Sequence, residues 1–190
     1  GISPVKPIKS GAISDYKTSI KLINFLITKA LGAYSFFKPE IIVSVPSSIS
    51  STERRAVMEA VVEAGAKEVY VVKGPVLAAI GSGVPIHEPI GRMIMNTGGG
   101  TTDIAVISLG GVVYSKSVKV GGNKMDESII NMVRERYGVV IGERSAEMIK
   151  MTIGGAVREK DPKAVKVKGR DFETGQPKDI TVTRNDVVDA

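Results

Sequence analysis

The chain lacks cysteine and tryptophan altogether, and only 5% of its 190 residues are aromatic. Without cysteine, no disulfide bond can stabilise the fold. Long apolar runs are missing as well: stretches such as residues 76–80 fall far short of the ~18 apolar residues that a membrane-spanning helix needs. These absences argue against disulfide stabilisation and a spanning helix, and they predict a cytoplasmic location.

An excess of positive charge gives the chain a formal net charge of +6 at pH 7. The basic residues are scattered, and the densest group, residues 158–170, is interrupted by Glu159 and Asp161. This group has no interleaved aromatic side chains on which bases could stack. We therefore expect no nucleic-acid partner. The 43% content of hydrophobic residues is sufficient for a globular core.

Helix and strand patterns alternate in the first half of the chain, which predicts an α/β fold. Ser50 and Glu53 have the spacing of a capping box. Pro75 suits the first turn of a short helix. Strands are predicted at residues 40–45 and 68–72, and helices between Asp15 and Gly32, after Ser50, and at residues 76–80.

The second half begins with apolar runs separated by glycine turns, which predict a meander of consecutive strands. Two helices and a hairpin are expected to follow. The predicted strands cover residues 92–95, 104–109 and 112–120, the helices follow Asn123 and cover residues 145–153, and the hairpin covers residues 164–169 and 179–184. Asn185 resembles a helix N-cap a few residues before the last residue, Ala190. We therefore expect that this chain is a piece of a longer protein.

Three consecutive glycines, Gly98, Gly99 and Gly100, lie between the first two of these strands and are flanked by Thr97 and Thr101. Backbone amides without a neighbouring Cβ, together with hydroxyl groups, suit the binding of phosphate oxygens. The alternative is a plain turn in which glycine supplies only a positive φ. A strand, not a helix, follows the glycines, which makes a dinucleotide-binding motif a poor alternative. The P-loop motif is absent, because no Gly-Lys-Ser/Thr segment occurs.

A second candidate feature is the pair Glu147 and Lys150, three residues apart on one face of a predicted helix. These two side chains have the chemistry to hold a ribose. The alternative is an ordinary solvent-exposed ion pair between them.

Several segments of the chain together resemble the MreB family of bacterial actin homologues. They are residues 45–47, 53–56, 98–102, 106–111, 120–122, 141–144 and 146–150. The resemblance implies the α/β actin-like ATPase fold, which is ribonuclease H-like, with ATP and Mg²⁺ between two lobes and head-to-tail filaments. It implies an incomplete fold, with residues 1–92 in the first lobe (domain IA) and 93–190 in the second (domain IIA, with a IIB insertion at about 138–184).

The resemblance also assigns site residues. It implies that the segment from Thr97 to Thr101 is a phosphate loop, that Gly121 and Gly122 lie at the hinge side of the second lobe, and that the adenosine contacts are Glu147, Met148, Ile149 and Lys150. Mg²⁺ is expected to be held through phosphates and water, with no direct protein ligand. His87, the only histidine, is expected at the surface.

Two positions depart from the family pattern. Asn96 stands where the family has Asp, and Gly74 stands where the family has a Glu that orients the attacking water. Loss of one such group typically costs on the order of 10²–10⁴ in rate, so we expect slow or absent hydrolysis. Lys73 is a candidate to compensate by stabilising phosphate charge. Alternatively, it points to solvent.

Phe36 and Phe37, with Lys38, occupy the position of a family loop that dips into the cytoplasmic membrane face. Aromatic rings beside a cation suit that interface. The alternative is that both rings cover the core.

The leading hypothesis is therefore an ATP-binding, filament-forming, membrane-associated cytoskeletal protein that determines bacterial cell shape, with weak or lost hydrolysis. The alternatives are a solo ATPase, a chaperone or a sugar-kinase-like enzyme of the same superfamily, and a structural paralogue that copolymerises without nucleotide.

Overall fold

The computed structural model describes residues 6–9, 12–32 and 37–190. The chain divides into two compact units, unit 1 (Gly1–Lys119) and unit 2 (Val120–Ala190). The predicted lobe boundary after residue 92 refers to the domains of the family fold and stays a prediction.

Unit 1 has an α/β organisation in its described part, as the sequence predicts. Its elements are β1 (Ile8–Lys9), β2 (Ala12–Ile13), α1 (Tyr16–Leu31), β3 (Glu40–Val45), α2 (Ser51–Glu63), β4 (Glu68–Lys73), α3 (Gly74–Gly81), β5 (Arg92–Thr97), β6 (Thr102–Ser108) and β7 (Gly111–Val118).

The first two helices of unit 1, α1 and α2, begin where the sequence signals place them. The Asp15 carboxylate accepts the Thr18 N–H at 3.0 Å, and Ser50 and Glu53 form the predicted capping box at the start of α2. Both arrangements satisfy amide groups that the first helical turn leaves without a partner. Helix α3 starts at Gly74, two residues before the predicted range.

Two sheets position the candidate site. Strands β3 and β4 pair in parallel, from Glu40 opposite Glu68 to Val45 opposite Lys73. Strands β5, β6 and β7 form the predicted antiparallel meander. The first sheet packs on α2 through Val57 and other apolar residues.

Unit 2 consists of two long helices beside a small sheet. Its elements are α4 (Gly122–Tyr137), β8 (Val139–Val140), α5 (Glu143–Ile153), β9 (Ala164–Asp171), β10 (Pro177–Thr183) and α6 (Arg184–Val188). Strand β9 lies between β8 and β10. Ile129, Val133, Ile149 and Val182 are among the residues of its buried core.

The predicted N-cap at Asn185 is wrong. Helix α6 is capped by Thr183, whose side chain accepts the Asp186 N–H in a capping box. Asn185 instead uses its side chain to bind the backbone of Glu159. A threonine two positions earlier competes successfully because it has an acidic partner at the third helical position.

Across residues 6–9, 12–32 and 37–190, no helix combines the length and apolar character that spanning a bilayer would need.

Candidate functional site

The glycine turn connects β5 to β6 in unit 1. Its first amide is used internally, because the Gly98 N–H donates to the Thr101 carbonyl at 2.8 Å. Within the described part of the chain, the N–H groups of Gly99 and Gly100 have no protein acceptor. Gly98 and Gly99 are exposed, and Gly100 is half-buried. The turn therefore offers two neighbouring backbone donors to an anion.

Gly74 and Asn96, the two departures from the family pattern, lie next to each other. A Cβ atom added at Gly74 would lie 3.2 Å from Asn96 Nδ2 and 3.2 Å from Ser44 Oγ. Gly74 is buried and Asn96 is half-buried. Neighbouring side chains therefore pack closely around Gly74, and a larger residue at this position requires them to shift.

Lys73 ends β4, beside Gly74. Its Nζ lies 3.5 Å from Ser115 Oγ on β7, at the long limit of a hydrogen bond. The side chain is half-buried, so the alternative in which it extends into solvent is not what the structure shows. Its proposed compensating role toward phosphate stays a prediction.

Asp103 is a site residue that sequence reasoning missed. Its side chain is 3% exposed, and its carboxylate accepts the Ser47 N–H at 2.7 Å and the Thr101 hydroxyl at 3.4 Å. Strand β6 buries every second residue, including Ala105 and Ile107. An aspartate at one of these inward positions is the signal that could have identified it.

In unit 2, Lys150 is held close to the predicted glycine pair. Lys150 Nζ lies 2.8 Å from Asp126 Oδ1 and donates to the Gly122 carbonyl at 3.2 Å. Gly121 is buried and is the N-cap of α4. The alternative of a Glu147–Lys150 ion pair is wrong, because the partner of Lys150 is the carboxylate of Asp126.

The other three predicted adenosine contacts have different surroundings. Ile149 is fully buried in the core, so its side chain is unavailable to a ligand. Met148 is 39% exposed. Glu147 is exposed and forms no ion pair within the described part of the chain.

A cavity of about 340 Å³ in unit 2 adjoins Lys150. Its lining includes Met125, Ile129, Gly154 and Gly155. A mainly apolar wall with two ammonium groups, those of Lys124 and Lys150, suits a flat heterocycle that carries polar edges. A cavity of about 440 Å³ in unit 1 lies between α1 and β3; none of the predicted nucleotide ligands lines it.

Two surface predictions have different outcomes. His87 is exposed, as predicted, and the described residues contain no cluster of three or more His, Cys, Asp or Glu that could hold a metal ion. Phe37 is 86% exposed, so its ring does not cover the core. Phe36 lies outside the described residues.

A βαβ unit (β3, α2, β4) followed by an antiparallel meander with a glycine turn defines an actin-like α/β fold. The crystal structure of MreB 5 of Spiroplasma citri bound to AMPPNP superimposes with a TM-score of 0.88 at 32% identity, over 97% of this chain and 56% of that chain. The predicted actin-like α/β fold is therefore confirmed for the part of the fold that this chain represents.

The family follows from the sequence comparisons. The MreB/Mbl protein family matches residues 1–190, and the chain belongs to this family. It is 42% identical over 191 residues to the cell shape-determining protein MreB of Escherichia coli (strain K12), covering 100% of this chain and 55% of that protein. It is 38% identical over 189 residues to the cell shape-determining protein Mbl of Bacillus subtilis (strain 168), covering 100% of this chain and 57% of that protein. The chain spans about half the length of the curated relatives it matches.

Proposed function

We propose that the protein containing this chain is an ATP-binding, actin-like cytoskeletal protein that forms filaments and determines bacterial cell shape. The observation that carries this proposal is the turn at residues 98–100, which presents the N–H groups of Gly99 and Gly100 without a protein acceptor among the described residues. Successive backbone N–H groups in a turn are a known type of donor site for phosphate oxygens.

Unit 2, taken by itself, contains groups whose chemistry suits a nucleoside. Glu147 has a carboxylate without an ion-pair partner among the described residues, and carboxylates accept hydrogen bonds from ribose hydroxyls. The cavity beside Lys150 and Met125 offers apolar walls for the base. A relative at 32% identity crystallised with AMPPNP and also with ADP, which supports a nucleotide as the ligand.

Mg²⁺ would accompany ATP through the phosphate oxygens and water. Hard oxygen ligands suit Mg²⁺, which keeps several of its waters in phosphate complexes. Asn96 can orient one such water through its amide but adds no charge. A direct carboxylate cage is not part of the proposal, since the described residues hold no acidic cluster of that kind.

Hydrolysis is proposed to be weak or lost. Gly74 has no side chain with which to orient a water molecule, and Asn96 is neutral. Both departures lie in one packed group, so they affect the same region of the site. The groups proposed to bind ATP are present while these acidic groups are missing. This combination fits a protein that binds ATP and hydrolyses it slowly.

Filament formation and membrane association complete the proposal. The relatives in Escherichia coli and Bacillus subtilis are cell shape-determining proteins, and actin homologues of this family are expected to assemble head to tail. Phe37 is 86% exposed next to Lys38, which favours contact with the inner membrane face over a role in the core. A cytoplasmic location follows from these roles.

Equilibrium binding of a fluorescent ATP analogue to the intact protein tests the nucleotide site. Gly99→Pro removes one donor N–H and should weaken binding at least about 10-fold, whereas Gly99→Ala retains the N–H and serves as the control. Electron microscopy of the same samples should reveal ordered filaments. Binding without filaments would favour a solo ATPase or chaperone, and filaments without binding would favour a nucleotide-free structural paralogue.

A further inference from the structure

Asp103 occupies the central strand of the meander beside the glycine turn. It lies opposite Asn96 on β5 and opposite Ser117 on β7. Its neighbours at inward positions of β6, Ala105 and Ile107, are both 0% exposed. A carboxylate in such a position is costly to bury unless hydrogen bonds replace its water.

The two carboxylate oxygens of Asp103 bind two different segments. Oδ1 accepts the Ser47 N–H at 2.7 Å, from the loop that follows β3. Oδ2 accepts the Thr101 hydroxyl at 3.4 Å, from the glycine turn. Within the described part of the chain, Asp103 has no Lys, Arg or His partner. Hydrogen bonds to these two segments therefore replace its water.

Two buried serine hydroxyl groups near Asp103 take no part in its hydrogen bonding. Ser47 Oγ and Ser117 Oγ are buried and have no hydrogen-bond partner in the described structure. Neither hydroxyl donates to Asp103. An arrangement that served stability alone would use such donors, because buried polar groups are normally paired.

We propose that Asp103 is a positioning residue for the phosphate-binding turn, and this inference rests on the proposed nucleotide function. Its carboxylate ties the turn at residues 98–101 to the Ser47 loop. Because the Thr101 hydroxyl donates its proton to Asp103, Thr101 anchors the turn, and the N–H groups of Gly99 and Gly100 serve as the phosphate donors.

Comparison of ATP with adenosine separates this role from a general structural one. In the intact protein, Asp103→Asn should weaken ATP binding about 10-fold relative to wild type and leave adenosine binding within about 2-fold, because only the phosphates contact the turn. Thr101→Val should show the same selectivity for ATP over adenosine. The double variant should bind ATP no more weakly than whichever single variant binds it more weakly. Ser117→Ala, on the facing strand, removes a hydroxyl that has no partner and is the matched control.

Each outcome has a defined meaning. Equal losses for ATP and adenosine, or additive effects of Asp103→Asn and Thr101→Val, would overturn the positioning role while leaving the nucleotide function intact. If Asp103→Asn fails to fold, unchanged ATP binding by Thr101→Val would by itself overturn the positioning role. Absence of ATP binding by the wild-type protein would overturn both proposals.

Discussion

Lys150 and Asp126 form an ion pair between α5 and α4, with Nζ 2.8 Å from Oδ1 and 3.0 Å from Oδ2. The side chains are only 21% and 12% exposed. The pair lies at the start of α4, where the Lys150 ammonium also binds the Gly122 carbonyl. Lys150 is therefore a structural cross-link as well as a candidate nucleotide contact.

Removal of one partner of this pair should destabilise the protein. We expect Lys150→Met to lower the free energy of unfolding by about 2 kcal/mol, because Asp126 then remains largely buried without its counter-charge. Urea unfolding followed by circular dichroism measures the change. The exposed pair of Lys124 and Glu127, each 59% exposed, is the control, and Lys124→Met should cost less than about 0.5 kcal/mol. Equal effects of both variants would contradict the expectation.

Restoring the two missing acids should increase ATP hydrolysis, but the two substitutions should differ in their effect on stability. Asn96→Asp returns a charge without adding bulk and should raise the rate of ATP hydrolysis on the order of 10-fold or more. Gly74→Glu should first cost about 1–3 kcal/mol of stability, because its Cβ meets Asn96 and Ser44 at 3.2 Å.

The control for this experiment is Gly74→Ala, which adds the Cβ without a carboxylate. A phosphate-release assay, run beside unfolding curves, separates lost stability from gained catalysis. The expectation of weak hydrolysis would be rejected if the wild-type rate already matched that of relatives with both acids.

Membrane association should depend on the aromatic pair before Lys38. We expect Phe36→Ser/Phe37→Ser to weaken co-sedimentation with anionic vesicles at least about 10-fold, since burial of one large apolar side chain contributes about 1.5–3 kcal/mol. Phe172→Ser is the control, because Phe172 is also exposed, at 54%, in the other unit. Unchanged co-sedimentation of the double variant would exclude this loop as the membrane contact.

The stability of the protein should decline at both extremes of pH through Tyr137 and Asp186, whose side chains share a hydrogen bond of 2.6 Å. Burial alone would raise the pKa of Asp186, but hydrogen bonds from Tyr137 and Thr183 hold it below its usual value. The resulting stabilisation is present above about pH 4 and is lost as the pH falls through the lowered pKa.

Tyr137 produces the opposite dependence. Burial and the hydrogen bond to Asp186 raise the pKa of Tyr137 to about 12, so its contribution is present below about pH 10 and is lost as the pH rises toward 12. Unfolding curves between pH 3 and 12 should show Asp186→Asn flattening the acid decline. Tyr137→Phe should flatten the alkaline decline by on the order of 2 kcal/mol. Curves parallel to wild type would contradict this assignment.

The elements of this fold were predictable wherever local chemistry selects them. The Ser50–Glu53 capping box and the β5–β6–β7 meander are both present, because caps and strand alternation involve residues close in sequence. Asn185 was predicted wrongly as a cap for the same local reason: Thr183 lies two residues away and has a better partner in Asp186. Strand β8 has only two residues and carries no detectable period.

The candidate site was predictable as residue types but not as contacts. The glycine turn and the two departures from the family pattern, Asn96 and Gly74, are visible in the sequence. The choice of Asp126 over Glu147 as the partner of Lys150 is not, since Asp126 is 24 residues away in the chain. Asp103 was missed because its partner Ser47 is 56 residues away.

The sequence by itself determined the longer helices and strands, the glycine turn between β5 and β6 and membership of the MreB/Mbl family, because these depend on periodicity and on local motifs. Only the tertiary structure established that Gly74 is packed against Asn96 and that the buried carboxylate of Asp103 joins two loops. Such contacts depend on strand register and on how the loops pack against the strands, and the spacing of residues along one chain does not encode that geometry.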